Sequence, residues 1–90
     1  MSANPVSSTQ IELSFSEALA TSTAESTQNY FLNPYLKITG ASLETGGTKV
    51  KLNVEAQTSS TIYTVIVKNL MDMQGNYIQS NNSVEFEGIP

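Results

Sequence analysis

The 90-residue chain contains no cysteine, histidine, tryptophan or arginine. Each absence removes a kind of chemistry. Without cysteine no disulfide reinforces the core, and thiolate metal ligands and thiol nucleophiles are excluded. Without histidine the chain lacks the side chain that titrates near neutral pH, the commonest general base and zinc ligand. Without arginine it has no planar fork for bidentate recognition of phosphate or carboxylate. Its cationic side chains are Lys37, Lys49, Lys51 and Lys68, set against eight carboxylates for a net charge of −4. That balance repels a polyphosphate backbone, so nucleic acid is not an expected partner. No apolar run approaches the length of a membrane span, and membrane insertion is not expected. Met1-Ser2-Ala3-Asn4-Pro5 has neither the basic nor the apolar region of a signal peptide, as in an excised domain. The missing cysteines do not fix the compartment.

What remains is enough for one domain, residues 1–90, with an ordered core expected over about 4–87. A chain of this size buries roughly 60–65% of its unfolded surface, so one core is feasible without much surplus. Only 13% of residues are charged, and the polar surface is mostly Ser, Thr, Asn and Gln. Those residues suit short strands joined by hydroxyl- and amide-rich turns.

The strongest pattern has period two. Ile11, Leu13 and Phe15 alternate with polar residues over 10–15, and Val50, Leu52 and Val54 do so over 49–54. Val84 and Phe86 alternate with Ser83, Glu85 and Glu87. Such alternation marks strands with one face on a core and one in water. Thr61–Lys68 is β-branched or aromatic almost throughout and reads as a central strand, with Tyr63, Val65 and Val67 facing inward. These eleven apolar residues form the predicted core, and Phe15→Ala is expected to cost roughly 3–5 kcal/mol. Shorter strands are predicted at Tyr30–Leu32, Tyr35–Thr39 and Ala41–Glu44. Asn4–Ser7 fits an edge strand, since Pro5 cannot donate to a central ladder.

Turns separate these runs. Thr45-Gly46-Gly47-Thr48 predicts a hairpin, Asn33-Pro34 a break, and Asp72-Met73-Gln74-Gly75-Asn76 a tight loop with Gly75 and Asn76 at positive φ. Ser22-Thr23-Ala24-Glu25 has capping-box spacing, so one helical turn is expected there. Seven or eight short strands with frequent turns predict an all-β fold, a two-sheet antiparallel sandwich.

Four segments in order carry a family resemblance: Ile11-Glu12-Leu13-Ser14-Phe15-Ser16-Glu17, Asn29-Tyr30-Phe31-Leu32, Tyr63-Thr64-Val65-Ile66-Val67, and Asp72-Met73-Gln74-Gly75-Asn76. With the Gly46-Gly47 hairpin, they resemble the bacterial Ig-like domains of S-layer and other large surface or secreted proteins. The resemblance spans roughly residues 5–87. Met71, Met73 and Tyr77 depart from the pattern within the last loop. The resemblance implies an immunoglobulin-like sandwich of about seven strands, no catalytic residues, no cofactor, and an extracellular or cell-surface location. It further implies a structural spacer whose partners are neighbouring domains of the same polypeptide, and a monomer when isolated. The alternative is an adhesion module that binds glycan or protein through loops such as Asn33–Tyr35 and Asp72–Tyr77.

Several residues invite sharper readings. Asp72, Asn76, Asn69, Asn81 and Asn82 offer oxygen ligands for calcium, but one carboxylate is too few, and no metal site is expected. Tyr63 stands where a tyrosine corner would lie, its hydroxyl bonding upstream backbone. Tyr30, Phe31, Tyr35 and Tyr77 offer a sugar-stacking platform, although at least one ring must point inward. Glu85 and Glu87 share a strand face roughly 6–7 Å apart. Without a cleft they read as solvated charges on a terminal strand rather than an acid/base pair. Asn81-Asn82-Ser83 matches an N-glycosylation acceptor, which carries little weight in a bacterial chain. An odd strand number predicts that Asn4 and Glu87 lie far apart, at opposite ends, with Gly88-Ile89-Pro90 leading onward.

Overall fold

The computed structural model describes residues 1–78 and 83–90. Among them seven strands occur: β1 (Ser2–Ser7), β2 (Gln10–Ser14), β3 (Tyr30–Asn33), β4 (Ile38–Leu43), β5 (Lys49–Val54), β6 (Ile62–Val67) and β7 (Ser83–Glu87). One helical turn, α1 (Thr21–Ala24), and a 3₁₀ turn at Thr27–Asn29 precede β3. The strands form two antiparallel sheets, ordered β1-β2-β5-β4 and β3-β6-β7.

Period two explains the core directly. Leu13 pairs with Val50 and Ile11 with Leu52, and β4 sets Leu43 and Ala41 against the same two β5 residues. On the other sheet Leu32 pairs with Val65, Tyr30 with Val67, and Tyr63 with Phe86. These inward rows face one another, and Ile11, Leu13, Val50, Leu52 and Val65 are fully buried. Connecting segments add Leu19, Ala24 and Leu70, which no alternating run announced.

Two predicted core residues, Phe15 and Val84, are only partly buried. Phe15 lies one residue beyond the paired end of β2, where its N–H reaches the Thr48 carbonyl at 2.8 Å. Val84 sits on β7, an edge strand covered on one side only. The strands predicted at Tyr35–Thr39 and Ala41–Glu44 are instead one strand, β4, preceded by irregular chain. Its register with β5 shifts between Ile38 and Gly40, and this irregularity interrupts the side-chain alternation that marks a strand in sequence. The predicted capping box does not form. The helix N-cap is Ala20, and Glu25 follows the helix, where its carboxylate accepts the Leu43 N–H at 2.9 Å. Of the two loop residues expected at positive φ, Gly75 adopts it and Asn76 does not; Asn69 and Ser60 do instead.

Hydrogen bonds locate the ends of the sandwich. Gly88 exchanges backbone bonds with Ser60 and Thr61, and Ile89 N–H reaches the Gln57 side chain at 3.2 Å. Gln57 in turn donates from its side chain to Ser7 and from its backbone to Ser8. The C-terminal segment thus lies beside the end of β1, whose start is a six-residue strand away, roughly 20 Å. The chain enters at one end and leaves at the other. β1 also lies close to β7, so β3 and β4 edge the opposite flank.

The burial difference along β2 is testable. Leu13→Ala is expected to cost about 2–5 kcal/mol and Phe15→Ala distinctly less, read from urea unfolding midpoints at constant slope. Equal costs would place Phe15 in the closed core.

Candidate functional site

At the end where the chain enters, the 69–78 segment folds onto the residues preceding β3. Leu19 bridges Asp72 and Met71 bridges Tyr77, while Ala20 N–H donates to the Met71 carbonyl at 2.8 Å. Thr23 Oγ1 accepts the Met71 N–H at 3.0 Å. Asp72 Oδ1 accepts the N–H groups of Gln74 and Asn76, both at 2.9 Å. One carboxylate oxygen is therefore committed to shaping its own loop, which is a side-chain-built turn. Among the described residues no cluster of three or more His, Cys, Asp or Glu side chains could hold a metal ion. Asn81 and Asn82, named as possible ligands and as part of the glycosylation spacing, lie outside the described residues.

At the exit end Tyr63 forms the predicted corner. Its ring is buried and stacks on Phe86 with centroids 5.4 Å apart, and its hydroxyl accepts the Thr58 N–H at 2.8 Å. Gly88 packs beneath it, where a methyl group would come within 2.9 Å of the Tyr63 ring and collide with the Thr58 carbonyl. Gln57, a buried polar residue, holds this end together through the bonds described above. Neither Gln57 nor Gly88 carries a sequence signal; each acts through neighbours distant in the chain.

The four aromatic residues of the suggested platform separate. Tyr30 is buried, and its hydroxyl donates to the Ala24 carbonyl; burial pushes its phenol well above the ordinary range, with the Glu25 charge adding to the effect. Phe31, Tyr35 and Tyr77 are exposed. Tyr30, Phe31 and Tyr35 line one open cleft of about 320 Å³ on the β3/β4 flank, while Tyr77 belongs to the loop paired with Met71. A second cleft, about 370 Å³, lies at the tip of the β4–β5 hairpin among Ala18, Leu19, Leu43, Gly47 and Met73. Glu85 and Glu87 are both exposed on β7, opposite Thr64 and Ile62.

A carboxyl pair that the sequence did not reveal sits by the four-stranded sheet. Glu44 stands beside Glu12 and its pKa is raised, first by side-chain hydrogen bonding with Glu12 in the protonated form, then by desolvation and the Glu12 charge. Lys51 and Lys49 oppose the shift without cancelling it, although Lys49 lies 3.9 Å from Glu12. The shielded Glu44 Oε2 has no donor of its own. A proton on Glu44 lets the two carboxyls share a hydrogen bond rather than repel.

Because the folded state holds this proton more tightly than the unfolded chain, the pair favours folding most at low pH. That contribution is lost as pH rises from the ordinary glutamate range through the raised value. Glu44→Gln keeps a donor without the charge, so it is expected to raise Tm at neutral pH and to flatten the Tm–pH profile on the acid side. An unchanged profile would remove the pair as the cause.

Comparison with known proteins agrees with this architecture. The crystal structure of the S-layer protein rSbsC(31-844) superposes with a TM-score of 0.89 at 18% identity, covering 99% of this chain and 13% of that one. The N-terminal part of the S-layer protein SbsC gives 0.86 at 16% identity, covering 98% and 23%, and SbsC domains 1–6 give 0.84 at 16%, covering 98% and 13%. The chain thus spans only a small fraction of each of these structures. Among curated proteins no sequence matches it. A family model described as a bacterial Ig-like domain matches residues 1–88. With that match over nearly its whole length, and the seven-strand sandwich to go with it, the chain belongs to the bacterial Ig-like domain family.

Proposed function

We propose that the domain is a non-catalytic spacer in a larger bacterial cell-surface or secreted protein, joined end to end with neighbouring domains. The observation that carries this reading is the separation of entry and exit at opposite ends of a body 38 Å long and 20–23 Å wide. A chain threaded this way adds its length to an array, whereas adjacent termini would make it a side branch. The S-layer likeness supports the same role, since those structures contain domains of this fold within longer chains. The residue set supports the non-catalytic part: without histidine or cysteine, general-base and nucleophilic chemistry would fall to carboxylates and hydroxyls. Glu85 and Glu87, the paired carboxylates of one strand, stand on an exposed face.

Two copies joined in line test the spacer reading. Small-angle scattering is expected to show a maximum dimension greater than that of one copy by close to the 38 Å long axis. A side-by-side, compact pair would defeat it.

The spacer also works without a metal ion, because Asp72 already serves its own loop backbone. Thermal melts in millimolar calcium and in chelator are expected to coincide. A site saturated at a hundred times its dissociation constant would add about 2.7 kcal/mol, and a calcium-dependent rise of that size would assign Asp72 to a metal.

A further inference from the structure

The β3/β4 flank carries features that a spacer does not use. Its cleft is lined by Thr27, Gln28, Phe31, Tyr35 and Lys37 over a floor that includes Tyr30 and Leu32. Tyr35 is 82% exposed and Phe31 46%, and both rings belong to the cleft wall. Exposed aromatic faces of this kind present a flat apolar surface with a polar edge.

Charge distinguishes this cleft from the rest of the molecule. No carboxylate lines it, although the domain as a whole carries −4. Lys37 is part of the wall, and the Lys68 ammonium lies 5.3 Å from the centre of the Phe31 ring. Among the described residues the one ion pair is Lys49 with Glu12, so neither Lys37 nor Lys68 is neutralised by a carboxylate. Two of the four lysines of an acidic domain are thus placed, unpaired, beside its exposed aromatic cleft. An ammonium over a ring also keeps part of its field available to an incoming anion.

We propose that this cleft binds an anionic saccharide, a strand of uronic-acid units. A pyranose face stacks on Tyr35, the sugar hydroxyls meet the Gln28 amide and Thr27 hydroxyl, and the carboxylates meet Lys37 and Lys68. An acidic peptide would satisfy the lysines alone. The ring and the amide beside them favour the sugar.

Titration of the isotope-labelled 90-residue chain with tri-galacturonate, followed by backbone amide NMR shifts at low salt, tests the assignment. Saturable shifts are expected at residues 27–38 and 68, weakening as salt screens the lysines. Maltotriose, which stacks but carries no charge, is expected to bind at least about tenfold more weakly, a loss of about 1.4 kcal/mol. Tyr35→Ala and Lys37→Gln should each weaken tri-galacturonate by a similar factor; both positions are exposed, and unchanged melts would confirm that folding is intact. The proposal is overturned if millimolar tri-galacturonate gives no saturable shift at this flank. It is overturned equally if an oligoglutamate peptide binds as tightly and Tyr35→Ala changes neither ligand, because the cleft would then be a cationic contact for protein. The in-line spacer reading is untouched by either result, since its scattering test does not involve this flank.

Discussion

The register between β2 and β5 is the constraint on which the sandwich depends. β5 is the strand that carries β2 on one side and β4 on the other, so the pairs Leu13–Val50 and Ile11–Leu52 set the inward row for the four-stranded sheet. A one-residue slip of β2 would turn Glu12 into the core and expose Ile11 and Leu13, and a slip of β5 would do the same with Lys49 and Lys51. No disulfide is available to hold the two sheets together. Their union rests on side-chain burial across the core and on the crossovers between them. The small size of the domain makes each fully buried residue a large share of its stability.

The two ends of the sandwich are closed by different means. At the exit, Tyr63 and Gln57 satisfy backbone groups of segments that meet only in the folded state, and Gly88 permits the close approach. At the entrance, Thr23 does the same for Met71, while Asp72 shapes the exposed turn of its own loop. In both places a polar side chain supplies the backbone partner that no neighbouring strand provides. This arrangement suits the proposed end-to-end role, since ends bonded internally would not need a next domain to become ordered.

The sequence was legible wherever one physical period governed a whole segment. β5 and β7 follow their alternating runs, and β2 and β6 differ from the predicted spans only at their termini. The sequence reads as two strands where β4 is one, because a register shift near Gly40 breaks the alternation and nothing local reports where a partner strand will shift. Leu19 and Leu70 carry no sequence signal for a related reason, since each is buried by a bridge or connection rather than by a regular strand. Tyr63 is legible because its role depends on a short offset within one segment, Thr58 to Tyr63. The Glu12–Glu44 pair is not, because it joins β2 to the end of β4 across the intervening β5. The aromatic cleft falls between these cases: the rings were visible, but their division into buried Tyr30, paired-loop Tyr77 and the exposed Phe31–Tyr35 wall depends on the crossover from β3 to β4.

That crossover also separates two demands that would otherwise compete. A spacer commits its two ends to chain neighbours, so a ligand site at either end would be covered in an array. The β1/β7 flank is narrowed by the close approach of two edge strands. The β3/β4 flank is different: the chain passes between sheets there through Asn33–Lys37, and the edges stand apart far enough to leave an open cleft beside Tyr35. The cleft extends from Thr27 and Gln28, near the entrance end, to Tyr35 and Lys37, near the exit. Along an array its repetition would face sideways, giving weak single sites the multiplied affinity of linked binding. On the proposed readings, extension would draw on the two ends and saccharide binding on this flank, so a substitution on the flank is expected to alter binding without disturbing extension.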